Sequence, residues 1–194
     1  MSTEKYNLYY FGVPGRAGPI KLLLHVADVE YDMVTLTKEK FVELKQSGFL
    51  PFGKVPLLTK GDFKLAESAA IGNYIARKHG FWPKTEEDSA VATSILSAIG
   101  DYAMLFFQVA TAKPEEKEEK LKEAKEKFAQ FENGVSKLLG EKKFFFEDRM
   151  TNVDISLFYF FHALVQKDNL TQENLIKFYD NMKSNKKIAE FLSQ

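Results

Sequence analysis

Cysteine is missing from this sequence of 194 residues. Without a thiol, the chain has no disulfide framework, no zinc site built on thiolates, no iron–sulfur cluster and no cysteine nucleophile. Any sulfur that takes part in its chemistry must therefore belong to a ligand.

The sequence also has no net charge, because its 27 basic residues balance its 27 acidic ones. The balance excludes the broad positive surface with which most nucleic-acid-binding proteins hold a phosphate backbone. The longest aromatic-rich stretch, 155–165, is about half of a membrane span and contains His162, which we interpret as a core histidine. No basic segment followed by an apolar run opens the sequence, so we expect a cytoplasmic protein without a membrane partner. His25 and His79 show no metal-ligand spacing, and we expect no metal site.

The chain changes character near Trp82 and Pro83. Residues 1–83 hold five of the six prolines and eight of the eleven glycines, with 11 basic and 8 acidic residues for a net charge of +3. Residues 84–194 hold 16 basic and 19 acidic residues, a net charge of −3. The change predicts two domains, 1–80 and 86–194, joined by a linker at 81–85.

Short alternating segments with frequent breakers predict a mixed first domain of the order βαβ, then ββα. The predicted strands are 6–11, 31–36, 55–59 and 63–65, and the predicted helices are 19–27, 38–45 and 68–79. Long periodic stretches predict that the second domain is a bundle of four or five helices, at 86–112, 114–140, 152–166, 172–183 and 185–193. The charged run 115–127 is interpreted as the solvated face of its helix.

Four segments carry a resemblance to a known family: YNLYYF at 6–11, GRAGPI at 15–20, PFGKVPL at 51–57 and LAESAAI at 65–71. In this order, and with a helical half of the right size behind them, they make the sequence resemble the cytosolic glutathione transferases over essentially its whole length. The first segment is most similar to the tyrosine-type branch, above all to the sigma class, with the alpha class second. The resemblance implies a thioredoxin-like N-terminal domain, an all-α C-terminal domain, a homodimer, and glutathione as a cosubstrate with no permanently bound cofactor.

By this resemblance Tyr10 is the catalytic residue. A cysteine-type thiol has a pKa near 8.5, and lowering it by about two units requires about 2.7 kcal/mol of preference for the thiolate. One charge-assisted hydrogen bond from a phenol contributes about 1.5–3 kcal/mol, which is enough to supply much of this preference. Strand alternation sends the neighbouring Tyr9 to the opposite face, so only one of the two tyrosines can serve.

Glu67 and Ser68 follow a strand and open a helix, where unpaired N–H groups favour an anion. The resemblance implies that the γ-glutamyl carboxylate of glutathione binds the N–H and hydroxyl of Ser68, although an ordinary N-cap serine is the alternative. The family commonly has glutamine at the position of Glu67. An ionised glutamate cannot donate a hydrogen bond, so Glu67 is expected to pair with the glutathione amine instead.

Further glutathione-binding residues also follow from the resemblance. Val55-Pro56 fits the family's cis-proline, with Val55 offering strand-like hydrogen bonds to the cysteinyl backbone, whereas a trans proline at a strand start is the alternative. An aromatic wall and cations near the glycyl carboxylate are expected from Phe41, Lys45 and Lys54, where a solvated lysine is the alternative. Arg16 either adds positive potential near the thiol or pairs with a carboxylate.

The helical domain is expected to complete the site. By position, Asp101 matches the aspartate that reaches into the partner subunit's site and meets the α-amine of glutathione, and an exposed helix aspartate is the alternative. An apolar electrophile cleft is expected from Phe11, Val13, Met104, Phe107 and Gln108. Thr151 and Asp154 resemble the family's capping box, to which we assign a structural role.

Three functions remain open at this level. The first is a detoxifying transferase that joins the glutathione thiolate to small hydrophobic electrophiles, with or without a peroxidase side activity. The second is a glutathione-dependent isomerase resembling a prostaglandin synthase, for which Gln108 stands where a bulky aromatic is expected. The third is a non-catalytic relative, a crystallin-like protein or ligand carrier, which Tyr10 and Ser68 argue against.

Overall fold

The computed structural model describes residues 5–146 and 149–194, so the first four residues of the predicted domain 1–80 lie outside the described residues. The chain divides into two compact units, Met1–Phe81 and Trp82–Gln194. The first unit is a four-stranded sheet with helices, and the second consists of helices, so the predicted fold class is confirmed.

The first unit contains β1 (Tyr6–Phe11), α1 (Gly18–Val26), β2 (Tyr31–Leu36), α2 (Lys38–Gln46), β3 (Leu57–Lys60), β4 (Phe63–Ala66) and α3 (Ser68–His79). Its strand order is β2-β1-β3-β4, in which β1 is parallel to β2 and antiparallel to β3, and β4 is antiparallel to β3. Alternate residues of β1 are buried, as its sequence pattern predicts. On the opposite face, a buried cluster that includes Leu50 and Leu57 is covered by Tyr9 and by Phe41 and Leu44 of α2.

The second unit contains α4 (Glu86–Ala110), α5 (Pro114–Leu139), α6 (Asn152–Phe160), α7 (Glu173–Lys183) and α8 (Lys186–Leu192). The helix α4 is long and apolar enough to cross a membrane by length and composition, a test that core helices of soluble proteins also pass. The core of this unit is a cluster of phenylalanine rings, with centroids 5.7–6.3 Å apart, formed by Phe106, Phe128, Phe131, Phe160 and Phe161.

The predicted helix 152–166 is confirmed to within one residue, because helical structure runs from Asn152 to Val165, but its last turn is not α-helical. The α-helix ends at Phe160 and widens into one π-helical turn, Phe161–Val165, before Gln166 adopts a positive φ of 66°. The side-chain amide of Asn169 donates a 2.8 Å hydrogen bond to the carbonyl of Val165, which satisfies an acceptor that a continuing helix would have used.

A capping box opens α6. The backbone N–H and the hydroxyl of Thr151 each donate a 2.7 Å hydrogen bond to Asp154 Oδ2, and the N–H of Phe145 donates one of 2.9 Å to Asp154 Oδ1. The carboxyl is fully buried, and this burial raises the pKa of Asp154 to about 6 against the lowering effect of its hydrogen bonds. The carboxyl group of Asp154 thus holds the segment before α6 against the first turn of the helix through hydrogen bonds from Thr151 and Phe145.

Candidate active site

The phenol of Tyr10 lies at the C-terminal end of β1, where the chain enters a tight loop. Tyr10 is buried, and its oxygen accepts a 3.0 Å hydrogen bond from the backbone N–H of Arg16. Tyr9 points to the other face, where its ring lies 5.4 Å from that of Phe49. Of the two adjacent tyrosines, Tyr10 is therefore the one whose hydroxyl is bonded to the loop backbone.

Gly15 makes room for this phenol. Its φ is +39°, and a Cβ placed on it would overlap the hydroxyl oxygen of Tyr10 and lie 3.0 Å from the ring carbon Cε1. The sequence marks Gly15 only as part of a matching segment, because a contact between a glycine and a side chain five residues earlier leaves no periodic signal. Gly15 is a site residue that sequence reasoning missed.

A cleft of about 290 Å³ opens beside this loop within the first unit. It is lined by eight residues, each of which the sequence singles out: Phe11, Arg16, Phe41, Lys54, Val55, Pro56, Glu67 and Ser68. These residues come from the end of β1, the following loop, α2, the segment before β3 and the start of α3. Since the end of β1 and its loop are adjacent, the topology thus brings together four stretches that are separated in sequence.

Val55 and Pro56 line the cleft, and the peptide bond between them is cis. The predicted strand 55–59 is shifted in the structure, since β3 begins at Leu57 and extends to Lys60. Pro56 has no N–H to donate to a sheet partner, so strand pairing starts at the residue after it, Leu57. Val55 precedes the first residue of β3 and lines the cleft together with Pro56.

The N-terminus of α3 forms another wall. Glu67, and not Ser68, is the N-cap, so the reading of Ser68 as an ordinary N-cap serine is wrong. Glu67 has a φ of +69° and a ψ of 122°, and its side chain does not cap the helix. The first N–H groups of α3 therefore have no capping side chain, an arrangement that suits an anion.

Charged side chains surround the cleft. Arg16 and Lys54 place two cations in the lining, and Glu67 places one carboxylate there. Lys45 is not a lining residue; its side chain runs beside Gly53, where a Cβ would lie 3.3 Å from Lys45 Cε. The ring of Phe41 lies 5.3 Å from that of Phe11, which gives this charged cleft an aromatic wall.

The remaining predicted residues lie outside this cleft lining. Val13 belongs to the loop after β1 and is exposed. Asp101, Met104, Phe107 and Gln108 belong to α4 of the second unit, where Met104 is half-buried and the other three are exposed. Within residues 5–146 and 149–194, no three His, Asp or Glu side chains are grouped so that they could hold a metal ion.

Comparison with known families gives two matches. Residues 6–77 match the family described as glutathione S-transferase, N-terminal domain, and residues 100–194 match the glutathione S-transferase C-terminal domain. Together the two matches cover most of the chain, and they include β1, most of α3 and the whole lining of the cleft.

Individual relatives agree with this result. Glutathione S-transferase A of Cavia porcellus is 35% identical over 60% of this chain and 54% of its own length. Glutathione S-transferase A3 of Mus musculus is 32% identical over 77% of this chain and 70% of its own length. The solved structure of a sigma class glutathione S-transferase from Fasciola hepatica superimposes with a TM-score of 0.85 at 27% identity, covering 99% of this chain and 97% of the other.

The first of these curated relatives is thus matched over about half of its length, whereas the solved structure is matched over nearly all of it. The fold, the two matched domains and the identity to the mouse protein lead to one conclusion. The chain belongs to the glutathione S-transferase family.

Proposed function

We propose that the protein is a cytoplasmic transferase that joins the thiolate of glutathione to small hydrophobic electrophiles, and that Tyr10 activates the sulfur. The observation that carries the proposal is the position of the Tyr10 phenol. It is hydrogen-bonded to the backbone of Arg16, and Arg16 itself lines a cleft of a size suited to a small peptide. Its relatives' names, glutathione S-transferase A and A3, agree with this activity.

The proposed pose places the tripeptide along the cleft. The γ-glutamyl carboxylate meets the open N-terminus of α3 at Ser68, and the amine meets the carboxylate of Glu67. The cysteinyl backbone pairs with Val55 beside Pro56. The glycyl carboxylate lies near Lys54 and Lys45. In this pose each charge of glutathione faces an opposite charge or a helix terminus, which keeps it oriented for reaction.

In the proposed reaction the phenol O–H of Tyr10 donates a hydrogen bond to the sulfur, which stabilises the thiolate. The N–H of Arg16 already donates to the phenol oxygen, so the hydroxyl proton of Tyr10 remains available for the sulfur. The thiolate then attacks the electrophilic carbon, a carbon–sulfur bond forms, and the leaving group departs with its electron pair. Within the first unit, Phe11 and Val13 are proposed to contact the electrophile.

The test is a comparison of Tyr10→Phe with Tyr9→Phe, a matched variant that removes a phenol from the opposite face of the same strand. Turnover of 1-chloro-2,4-dinitrobenzene and the ultraviolet absorbance of bound glutathione thiolate are measured. We expect Tyr10→Phe to lose at least tenfold in kcat and to raise the pKa of the bound thiol, while retention on immobilised glutathione persists. Equal activity of Tyr10→Phe and wild type would overturn the assignment.

Two finer features belong to the same proposal. The sigma class is favoured by the likeness to the Fasciola hepatica structure over nearly the whole chain, although the curated relatives above are named as A-type enzymes. A homodimer is favoured by Phe52, whose large apolar side chain is 65% exposed and so is available as an anchor for a partner. Asp101 is then the residue offered to the partner's glutathione.

Light scattering of wild type and Phe52→Ser tests the dimer. We expect a dimer for the wild type and a shift toward monomer for the variant. A monomeric wild type that still conjugates glutathione would overturn both the dimer and the role of Asp101. Turnover of prostaglandin H₂ and of a hydroperoxide in the same preparation separates a dedicated isomerase or peroxidase from a broad transferase.

A further inference from the structure

A pair of hydrogen-bonded phenols lies away from the cleft lining, at the N-terminal end of β1. Tyr6 and Tyr74 meet there with Lys60 and Lys78, and we name these four residues the phenol–lysine cluster. Lys78 Nζ donates hydrogen bonds of 2.9 Å to Tyr6 Oη and 3.2 Å to Tyr74 Oη. The Nζ of Lys60 lies 5.1 Å from the centroid of the Tyr6 ring.

The two phenols of the cluster are not equivalent. Tyr6 is 3% exposed, and its O–H donates to Tyr74 Oη at 3.3 Å. The oxygen of Tyr74 therefore accepts two hydrogen bonds, one from a hydroxyl and one from an ammonium. Both bonds favour the ionised form of an oxygen that is also partly open to solvent.

The pKa shifts of the two phenols also differ in direction. Burial raises the pKa of Tyr6, so that this phenol keeps its proton and remains a donor. The hydrogen bond from Tyr6 lowers the pKa of Tyr74, and Lys78 and Lys60 lower it further. By contrast, burial raises the pKa of Tyr31 and that of Tyr159.

We propose that Tyr74 is a site of covalent modification by electrophiles that transfer a sulfonyl or related acyl group to oxygen. In the reaction with a sulfonyl fluoride, the phenolate oxygen of Tyr74 attacks sulfur and an oxygen–sulfur bond forms. The sulfur–fluorine bond breaks, fluoride leaves with the bonding pair, and the phenol proton passes to solvent. The ammonium groups of Lys78 and Lys60 also attract reagents that carry a negative charge.

This inference is independent of the proposed transferase activity, because none of the four residues of the cluster lines the cleft. The probe is 4-(fluorosulfonyl)benzoate, whose carboxylate complements the two lysines. Digestion with trypsin isolates residues 65–77, a peptide in which Tyr74 is the single tyrosine. Fragmentation of that peptide distinguishes an adduct on Tyr74 from one on Ser68.

Four proteins are compared under pseudo-first-order conditions: the wild type, Tyr74→Phe, Lys78→Met and Lys177→Met. The last removes one ammonium from the second unit, where Lys177 pairs with Glu173 at 2.8 Å. A rise of one unit in the phenol pKa lowers the phenolate fraction about tenfold. We therefore expect Lys78→Met to slow the modification of Tyr74 by roughly three- to tenfold, and Lys177→Met to leave it unchanged.

In the wild type, Tyr74 is expected to react faster than Tyr31 and Tyr159, and Tyr74→Phe is expected to lose the adduct on peptide 65–77. Circular dichroism of each variant establishes that it is folded. The proposal is overturned if the label is distributed among the tyrosines according to their exposure. It is also overturned if Lys78→Met and Lys177→Met react at the same rate as the wild type at Tyr74.

Discussion

The backbone N–H of Arg16 donates a 3.0 Å hydrogen bond to the phenol oxygen of Tyr10, and this bond depends on the absence of a side chain at Gly15. The donor and the glycine are adjacent in sequence, so the loop that positions the N–H also determines how closely the backbone approaches the ring. The positive φ of Gly15 adds a second requirement for glycine at this position.

Gly15→Ala is therefore expected to displace the Tyr10 hydroxyl. Given the proposed function, we expect kcat with 1-chloro-2,4-dinitrobenzene to fall more than tenfold, the equivalent of at least about 1.4 kcal/mol in the activation barrier. The pH profile of kcat/KM should shift to higher pH, because the thiolate would lose its donor. Gly12→Ala is the matched control, since a Cβ there meets only Thr35 Cγ2 at 3.5 Å. Equal pH profiles for the two variants would contradict the role of Gly15.

The sequence predicts the elements that depend on local patterns. The spans 6–11, 31–36 and 68–79 agree to the residue with β1, β2 and α3, because alternation, glycine breakers and helical periodicity act over a few positions. The π-helical turn after Phe160 was not predictable in this way. Residues 161–165 continue the apolar pattern, so the sequence gives no sign that the backbone N–H of Gln166 bonds the carbonyl of Phe161.

In the candidate site, too, some features could be predicted from the sequence and others could not. The binding and catalytic roles expected of Tyr10, Ser68 and Val55 follow from the four segments that resemble the glutathione transferases. The backbone geometry at Gly15 and Glu67 could not be predicted, because a positive φ at a particular residue is imposed by the tertiary contacts around it. The order β2-β1-β3-β4, which brings α2 and α3 to the same cleft, also leaves no trace in periodicity.

Asp154 predicts an unusual dependence of stability on pH. Its folded-state pKa of about 6 lies above the ordinary value of 3.8, so the folded protein binds this proton more tightly than the unfolded chain does. The resulting stabilisation is fully present below pH 3.8 and is lost as pH rises through 6, by about 3 kcal/mol in total. This is the opposite of the behaviour of a carboxylate in an ion pair.

Asp154→Asn provides the reference, since it cannot titrate. Urea unfolding of both proteins at pH 3.5 and pH 7 gives the difference in their unfolding free energies, wild type minus variant. We expect this difference to fall by about 3 kcal/mol between the two pH values. A difference that rises with pH would mean that the hydrogen bonds from Thr151 and Phe145 outweigh the cost of burial.

Glu132 predicts a large local contribution to the stability of the second unit. This buried side chain of α5 accepts hydrogen bonds at the start of α7, from the N–H of Thr171 at 2.5 Å, its hydroxyl at 2.8 Å and the N–H of Gln172 at 3.1 Å. Glu132→Ala leaves these donors without their acceptor and should lower the unfolding free energy by about 3 kcal/mol. The control is Asn133→Ala, which loses one exposed bond to Gln172. Equal urea midpoints for the two variants would contradict this assignment.

The backbone conformation of Glu67 predicts that a substitution there can raise the stability of the fold while it weakens glutathione binding. A non-glycine residue at φ +69° and ψ 122° stores about 1–3 kcal/mol of backbone strain. Glu67→Gly relieves this strain, and we expect the unfolding free energy to rise by about 1 kcal/mol. If the carboxylate binds the glutathione amine as proposed, the same variant should weaken glutathione binding severalfold.

Two further variants distinguish the effect of the strained backbone at Glu67 from the effect of its carboxylate. Glu67→Gln retains the strained conformation and loses the charge, so it should weaken glutathione binding without a gain in stability. Gln166→Gly relieves a similar φ of +66° in the second unit, and should raise stability while leaving binding unchanged. Urea unfolding and calorimetric titration with glutathione measure the two quantities. A Glu67→Gly protein less stable than the wild type would show that the Glu67 side chain contributes more to the fold than its backbone strain costs.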